Sequence, residues 1–364
     1  MSEEIPVRVG VLALNFGEPD DPSPEDVVAF LERIFYMNAD LETVANDEAR
    51  RLRSRQLAER RAPGLIKEYG EMGPSPLNEQ AHQQAHELSQ ELGRRGYDAM
   101  VYSAFQFTPP LIKDVVERAQ TAGINHLVGL PIFPLCGPST NIAALNMVQA
   151  ALNDLKWNVE LQGITGWHRH PLYLQLRADA IRKLSDRDGI DLSDGETRVV
   201  FSAHGTPKKY VDQGSRYIEY VEEFCEDIAQ LLSLSEYEIG YQNHSNRGIE
   251  WTLPNVEDVI RSVRARRVIV DPVSFMHEQS ETLVELDRGL WEEAEKAGLE
   301  FHRVPVPHDD PRFPQILADL VESQLTGGQR EDQIRFSRCR CSPQPNTFCL
   351  NALPRNAVTP APTP

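Results

Sequence analysis

The sequence predicts an α/β protein of two parallel-sheet domains, and three observations carry that expectation. Short apolar, β-rich runs alternate with longer segments of helical period, the pattern of parallel strands joined by crossover helices. The chain is 364 residues long, beyond the roughly 250–300 that one hydrophobic core serves, so two domains are the natural division. A strand-and-turn unit also occurs twice, about half a chain length apart. The run 7–14 leads into Asn15-Phe16-Gly17-Glu18-Pro19, and 198–203 leads into His204-Gly205-Thr206-Pro207, with Phe16 standing where His204 stands.

Taken in order, the first strand, over 7–14, is almost continuously apolar, as a strand buried on both faces must be. Residues 22–76 carry no strand signal, and their apolar Phe30, Leu31, Ile34, Phe35, Tyr36 and Met37 predict a lip beside the cleft of the first domain. A helix over 78–95 leads to a strand at 100–107, a helix at 110–122 to a strand at 126–133, and a helix at 141–155 to a strand at 159–165. The second half repeats the alternation. Helices are expected over 172–185, 216–232, 256–264, 281–297 and 313–326, and strands over 198–203, 238–242, 267–272 and 301–305. Helical Pro and Gly fall mostly at the ends, where they are tolerated. The domains are then 1–160, with the lip 22–76, and 161–310, followed by a helix at 311–326 and a Cys/Pro-rich tail at 327–364. The last stretch, 356–364, has too little apolar surface to order itself.

Composition narrows the function classes. Apolar residues make up 40% and charged residues 25%, which describes an ordinary soluble globular protein. No apolar run approaches the roughly 20 residues of a membrane span. Met1-Ser2-Glu3-Glu4-Ile5-Pro6 lacks a basic segment and an apolar segment of the secretory kind, so a cytoplasmic setting is expected. A net charge of −18 argues against a nucleic-acid partner and leaves a cation open as ligand.

Two strand ends carry the chemistry. His204 closes the uncharged run 199–203, and the Gly-x-Pro after it ends the strand abruptly, which is where open α/β sheets place reacting groups. An imidazole there suits proton transfer near neutral pH. After the strand 267–272, Glu281 and Glu285 share a helix face, with Glu278 one turn earlier. Acids beside a base can relay protons or guide a hard cation; acids favouring a helix N-terminus are the plainer explanation. His168, His170 and His244 are metal-ligand types by residue alone, but capping or packing is the plainer reading, and His82 and His86 read as a solvated face. The tail presents Cys339, Cys341 and Cys349 as three soft ligands lacking a fourth, for which Cys136, in a loop after a strand, and Cys225, in mid-helix, are the cysteine candidates. Zinc, an iron–sulfur cluster and an unliganded tail all remain open on spacing alone.

These residues, in this order, resemble the ferrochelatases. The matching stretches are Leu14-Asn15-Phe16-Gly17-Glu18-Pro19, Gly73-Pro74-Ser75-Pro76-Leu77-Asn78, Leu130-Pro131-Ile132-Phe133-Pro134, Trp167 with His170-Pro171, His204-Gly205-Thr206-Pro207 with Tyr210 and Gly214, Tyr241-Gln242, Trp251, and Glu281-Thr282-Leu283 with Glu285-Leu286-Asp287. The resemblance implies two Rossmann-like, chelatase-type domains facing a porphyrin cleft, with the helix at 311–326 returning to the first domain. It implies a lyase of haem synthesis that inserts Fe2+, as substrate, into protoporphyrin IX. His204 and Glu281 would be the catalytic and metal-contacting pair, and Glu285 would continue an acidic path. Phe16, Ser75 and Trp251 would contact the macrocycle, and the lip would give peripheral membrane contact. The tail resembles an extension that binds a [2Fe-2S] cluster through Cys339, Cys341 and Cys349, with Cys136 as the candidate fourth ligand. Coproporphyrin III is an alternative substrate, and a non-catalytic porphyrin- or haem-binding protein an alternative function. The chain departs from the family pattern at Gln106, Ser215, Gln279 and Asn243-His244-Ser245.

Overall fold

A computed structural model describes residues 7–42, 45–244, 248–326, 334 and 336–350. Its contacts divide the chain into two units, one of Met1–Phe16, Ala81–Tyr173 and Asp309–Pro364, the other of Gly17–Gln80 and Leu174–His308.

In the first unit β1 (Val9–Asn15) lies between β2 (Ala99–Phe105) and β3 (His126–Pro131), and β4 (Glu160–Thr165) continues the sheet beyond β3, all parallel. The continuous apolar run of β1 is explained by burial on both faces, with residues 10–15 all inaccessible. One face is covered by α4 (Ile112–Thr121) and α5 (Ala143–Asp154), whose Ile112, Val115, Val116, Leu145 and Val148 form one cluster with Leu12 and Leu14. Fully burying each such side chain contributes about 1.5–3 kcal/mol. Helix α11 (Phe313–Leu325) belongs to this unit; its Asp319 and Glu322 accept from Arg95 Nη1 at 2.6 and 2.9 Å.

The tail adds two strands that carry no signal of their own in the sequence. Thr347–Cys349 (β10) pairs parallel with the open edge of β4, Thr347 opposite Gly163, and Ser337–Arg338 (β9) pairs antiparallel with β10. A three-residue strand among prolines has no periodicity of its own; the exposed edge of β4 selects it. The stretch 356–364, expected to be disordered, lies outside the described residues.

The second unit repeats the first topology. β5 (Thr197–His204) lies between β6 (Tyr237–Gln242) and β7 (Arg267–Asp271), and β8 (Glu300–Arg303) follows β7, all parallel. The order β6-β5-β7-β8 matches β2-β1-β3-β4, so the paired turns at Phe16 and His204 end equivalent strands. In such sheets the chain leaves in opposite directions on either side of the first strand, opening a crevice at the carboxyl ends of β5 and β7.

Two expectations are corrected. Residues 22–76 belong to the second unit rather than the first, and they fold as α1 (Pro24–Met37) and α2 (Asp47–Met72). Their ties run to that unit: Lys209 donates to the Asp40 carbonyl, and Arg288 Nη1 to Glu71 at 2.8 Å. Of the residues expected to form the lip, Phe30, Leu31 and Phe35 are buried, at 4%, 6% and 7% exposed, while Ile34, Tyr36 and Met37 are half-buried. Second, 281–297 is not one α-helix. Residues Glu281–Leu290 form a wide π helix before the α-helical Trp291–Lys296, a form that occurs mostly where a site requires it. Among the described residues, no helix is long and apolar enough to cross a membrane.

Candidate active site

His204 is the last residue of β5, and its backbone is fixed from two sides. Its N–H donates to Ser274 Oγ at 2.8 Å and its carbonyl accepts from Tyr217 Oη at 2.9 Å. The following Gly205 is dictated by crowding, because a Cβ there would lie 1.7 Å from Asn243 Oδ1 and 3.0 Å from the Gln242 carbonyl. Close passage of the backbone leaves the His204 ring, 32% exposed, as the group presented at the strand end. Its Nδ1 lies 2.7 Å from the Gly205 carbonyl. A carbonyl only accepts, so Nδ1 carries the hydrogen and the neutral ring keeps its accepting lone pair on Nε2. Burial pushes the His204 pKa down, against the opposing pull of that carbonyl. The ring therefore rests neutral, ready to accept a proton or a metal.

The segment after β6 folds back over this turn. Thr252 N–H donates to the Thr206 carbonyl at 3.0 Å, Lys208 N–H to the Glu250 carbonyl at 2.8 Å, and Asn243 Nδ2 to the Thr252 carbonyl at 2.7 Å. These bonds bring His244 Nε2 to 3.3 Å from His204 Nε2. Trp251 packs edge-on to both imidazoles, with ring centroids 6.2 Å from His204 and 5.5 Å from His244. Residue type alone offers His244 as a ligand or a packing residue; the return of the chain brings it to the site.

Glu281 enters from beyond β7, its Oε1 4.0 Å from His204 Nε2. Gln279, a departure from the family pattern, donates its side-chain amide to Glu281. Gln242, at the end of β6, accepts from Ser202 Oγ at 3.0 Å and donates to the Glu281 carbonyl at 3.1 Å and to Glu285 Oε2 at 3.2 Å. It thereby ties β5 and β6 to the π helix. Burial raises the Glu281 pKa, opposed by the Gln279 hydrogen bond. Burial, then the charge of Glu281, pushes Glu285 up to about 8, against the Gln242 bond. Two carboxyls that cannot both ionise cheaply form a proton-holding pair beside a neutral base.

Glu18 extends this group in a way the sequence did not reveal. It is 4% exposed and accepts from the Ser75 and Ser280 hydroxyls and, at 3.3 Å, from the Ser280 N–H. Burial, then the charge of Glu281, pushes it up to about 7. Ser75, carried over as a macrocycle contact, is buried with its hydroxyl committed to Glu18. Glu278, grouped by spacing with the acids, instead pairs with Arg303 at 2.8 Å and accepts from the Val306 N–H at 2.9 Å. That makes it a fastener between the π helix and the strand end after β8.

With this geometry in view, comparison with protein families matches residues 8–325 to Ferrochelatase. The chain belongs to the ferrochelatase family. The ferrochelatase of Aquifex aeolicus is 31% identical over 88% of this chain and 100% of its own length, and that of Nostoc punctiforme 33% identical over 87% and 82%. Among solved structures, the sirohydrochlorin chelatase of Bacillus subtilis subspecies spizizenii in complex with cobalt aligns at a TM-score of 0.48 and 12% identity, over 89% of this chain and 98% of that one.

The remaining sites expected from the ferrochelatase resemblance are placed as follows. Phe16 ends the first strand and stacks edge-on to Phe107, centroids 4.6 Å apart. Gln106 is buried and donates to the Ser139 carbonyl at 3.3 Å. Cys136 comes from the loop after β3 and meets Cys339 and Cys341, all three sulfurs within 4.8 Å of one another. Cys339 is also hydrogen-bonded to Cys349, and the bonds from Cys136, Cys341 and Cys349 push its pKa far down. Cys225 is fully buried in α8 (Tyr217–Leu232), as expected of a core residue. His168 is fully buried, and His170 lies with Nε2 3.3 Å from Asp319.

Proposed function

We propose that the chain is a cytoplasmic lyase of haem synthesis that inserts Fe2+ into protoporphyrin IX, releasing two protons. The observation that carries this reading is the tautomer of His204, whose Nδ1 hydrogen is held by the Gly205 carbonyl while Nε2 faces Glu281. A porphyrin must lose two pyrrole protons as it takes the metal, so a base is needed at the ring centre and acceptors behind it. His204 Nε2 takes a pyrrole proton, and Glu281 balances the imidazolium that results. Glu285, with its raised pKa, receives and passes the proton on, and Gln242 keeps the two carboxyls in register. Trp251, packed edge-on to His204, supplies apolar contact for the macrocycle.

A resident iron–sulfur cluster is supported by the donor set. Cys136, Cys339 and Cys341 group their sulfurs within 4.8 Å, and Cys349, hydrogen-bonded to Cys339, is the candidate fourth thiol of the soft set that [2Fe-2S] and zinc both accept. When bound, a [2Fe-2S] group supplies one-electron redox capacity and a cross-link between tail and sheet. A brown protein containing iron and sulfide supports the cluster, colourless protein containing zinc overturns it, and an unchanged cluster spectrum in Cys136→Ser removes Cys136 as its ligand.

The reaction is tested by anaerobic ferrous insertion with wild type, His204→Ala and Glu281→Gln. Loss of turnover in both variants with porphyrin binding retained supports the assignment. Bound porphyrin that metallates no faster than in buffer, with no effect of His204→Ala, makes the chain a porphyrin-binding protein instead.

A further inference from the structure

We infer that His244 completes, with His204 and Glu281, a three-ligand site of two imidazoles and one carboxylate that takes the divalent metal before it enters the macrocycle. The inference deepens the proposed reaction and rests on it for the fate of the metal. In the sequence His244 is a metal-ligand candidate by residue type alone, with no spacing to a second ligand.

The distances fit one ion. Two nitrogens bound at about 2.1 Å stand roughly 3.0 Å apart at a right angle and roughly 3.4 Å apart at the tetrahedral angle. His204 Nε2 and His244 Nε2 are 3.3 Å apart. The 4.0 Å from His204 Nε2 to Glu281 Oε1 is about 0.6 Å wider than the tetrahedral spacing, so the carboxylate closes on the ion as it binds. No separation in the set exceeds 4.8 Å, so bringing all three atoms to the roughly 3.4 Å spacing of tetrahedral ligands takes at most about 1.4 Å of closure.

The surroundings fit as well. The Gly205 carbonyl holds the far nitrogen of His204, the outer hydrogen bond that orients a metal-binding imidazole. Gln279 does the same for the Glu281 carboxylate. Trp251 packs against both rings, and the segment carrying His244 is bonded back to the turn after β5. Two imidazoles and a carboxylate suit ferrous iron and leave coordination positions open for water and then for pyrrole nitrogens. In the metal-free protein one imidazole donates to the other. With metal bound both lone pairs face the ion, and the hydrogen of His244 resides on Nδ1.

Crystals of the full chain soaked in Co2+ without porphyrin test this by anomalous diffraction at the cobalt edge, which separates this site in space from cobalt on the tail cysteines. The expected peak lies about 2.1 Å from both Nε2 atoms and from a Glu281 oxygen. Its occupancy falls at least about tenfold at matched Co2+ in His244→Ala and His244→Gln, with circular dichroism confirming the fold of each. No peak, a peak on His204 and Glu281 that leaves His244 beyond bonding distance, or undiminished occupancy in the variants overturns the inference. Porphyrin metallation by the same preparations separates the two claims. Turnover without a three-ligand peak removes this site and leaves the reaction, whereas a three-ligand peak without turnover does the reverse.

Discussion

Arg177 and Asp271 sit at the centre of the second unit, both 0% exposed, with the guanidinium on Asp271 Oδ1. Arg177 projects from α6 (Pro171–Asp188) and Asp271 ends β7, three residues before the Ser274 that holds His204. Asp271 Oδ2 and Arg177 Nε and Nη1 have no hydrogen-bond partner among the described residues, so the pair only partly offsets its own desolvation. Arg177→Met leaves the carboxyl buried and uncompensated, and is expected to destabilise by about 3–5 kcal/mol. Burial already raises the Asp271 pKa, with Arg177 opposing it. Without Arg177 the folded pKa climbs further above the unfolded value, so protons bind the folded state more tightly. Stability then falls as pH rises above the unfolded pKa, and the cost is larger near about pH 7.5 than near about pH 4.5. Adding Asp271→Val removes the stranded charge and should recover most of the loss. Urea denaturation followed by tryptophan fluorescence, at both pH values, reads these differences. A single variant within about 1 kcal/mol of wild type, or a double variant as unstable as the two singles summed, refutes the reasoning.

Gly205→Ala should remove turnover and lower the melting temperature, because its Cβ would occupy the Asn243 amide and the turn that presents His204 must move; full activity would show that the turn tolerates a side chain. Glu18→Gln keeps the shape and the serine contacts but cannot ionise. Wild type, with Glu18 pushed from 4.5 to about 7, loses about 3 kcal/mol of stability as pH rises through that window, whereas the variant does not; parallel stability curves would contradict this. Gln242→Ala removes the hydrogen bond that lowers Glu285, so the Glu285 pKa should rise from about 8 and the pH–rate profile should shift upward with it. An unshifted profile would exclude Glu285 from the proton path.

The central strands β1, β3, β5 and β7 were legible because a strand buried on both faces is a nearly uninterrupted apolar run, and all eight main strands lie within about two residues of their expected limits. His204 and Glu281 were legible for a related reason: an abrupt Gly-x-Pro stop and an acidic start mark strand ends. Glu18 was not legible, since it sits in a turn and gains its character only when Ser75 and Ser280 fold around it. His244 depends on a segment that returns to the turn after β5 through Thr252 and Lys208, a pairing with no local period. The tail strand depends on the edge of β4. Glu278 misled because spacing places a carboxylate on a face without naming its partner, here Arg303.

The most direct test is anaerobic insertion of Fe2+ by the purified full chain, with protoporphyrin IX and coproporphyrin III compared side by side and His204→Ala as the reference. Enzymatic formation of protohaem in preference to coprohaem, reduced roughly 10²- to 10⁴-fold in His204→Ala, is the predicted result. A preference for coproporphyrin III would contradict the substrate, and metallation of either porphyrin at the rate seen in buffer would contradict the reaction itself.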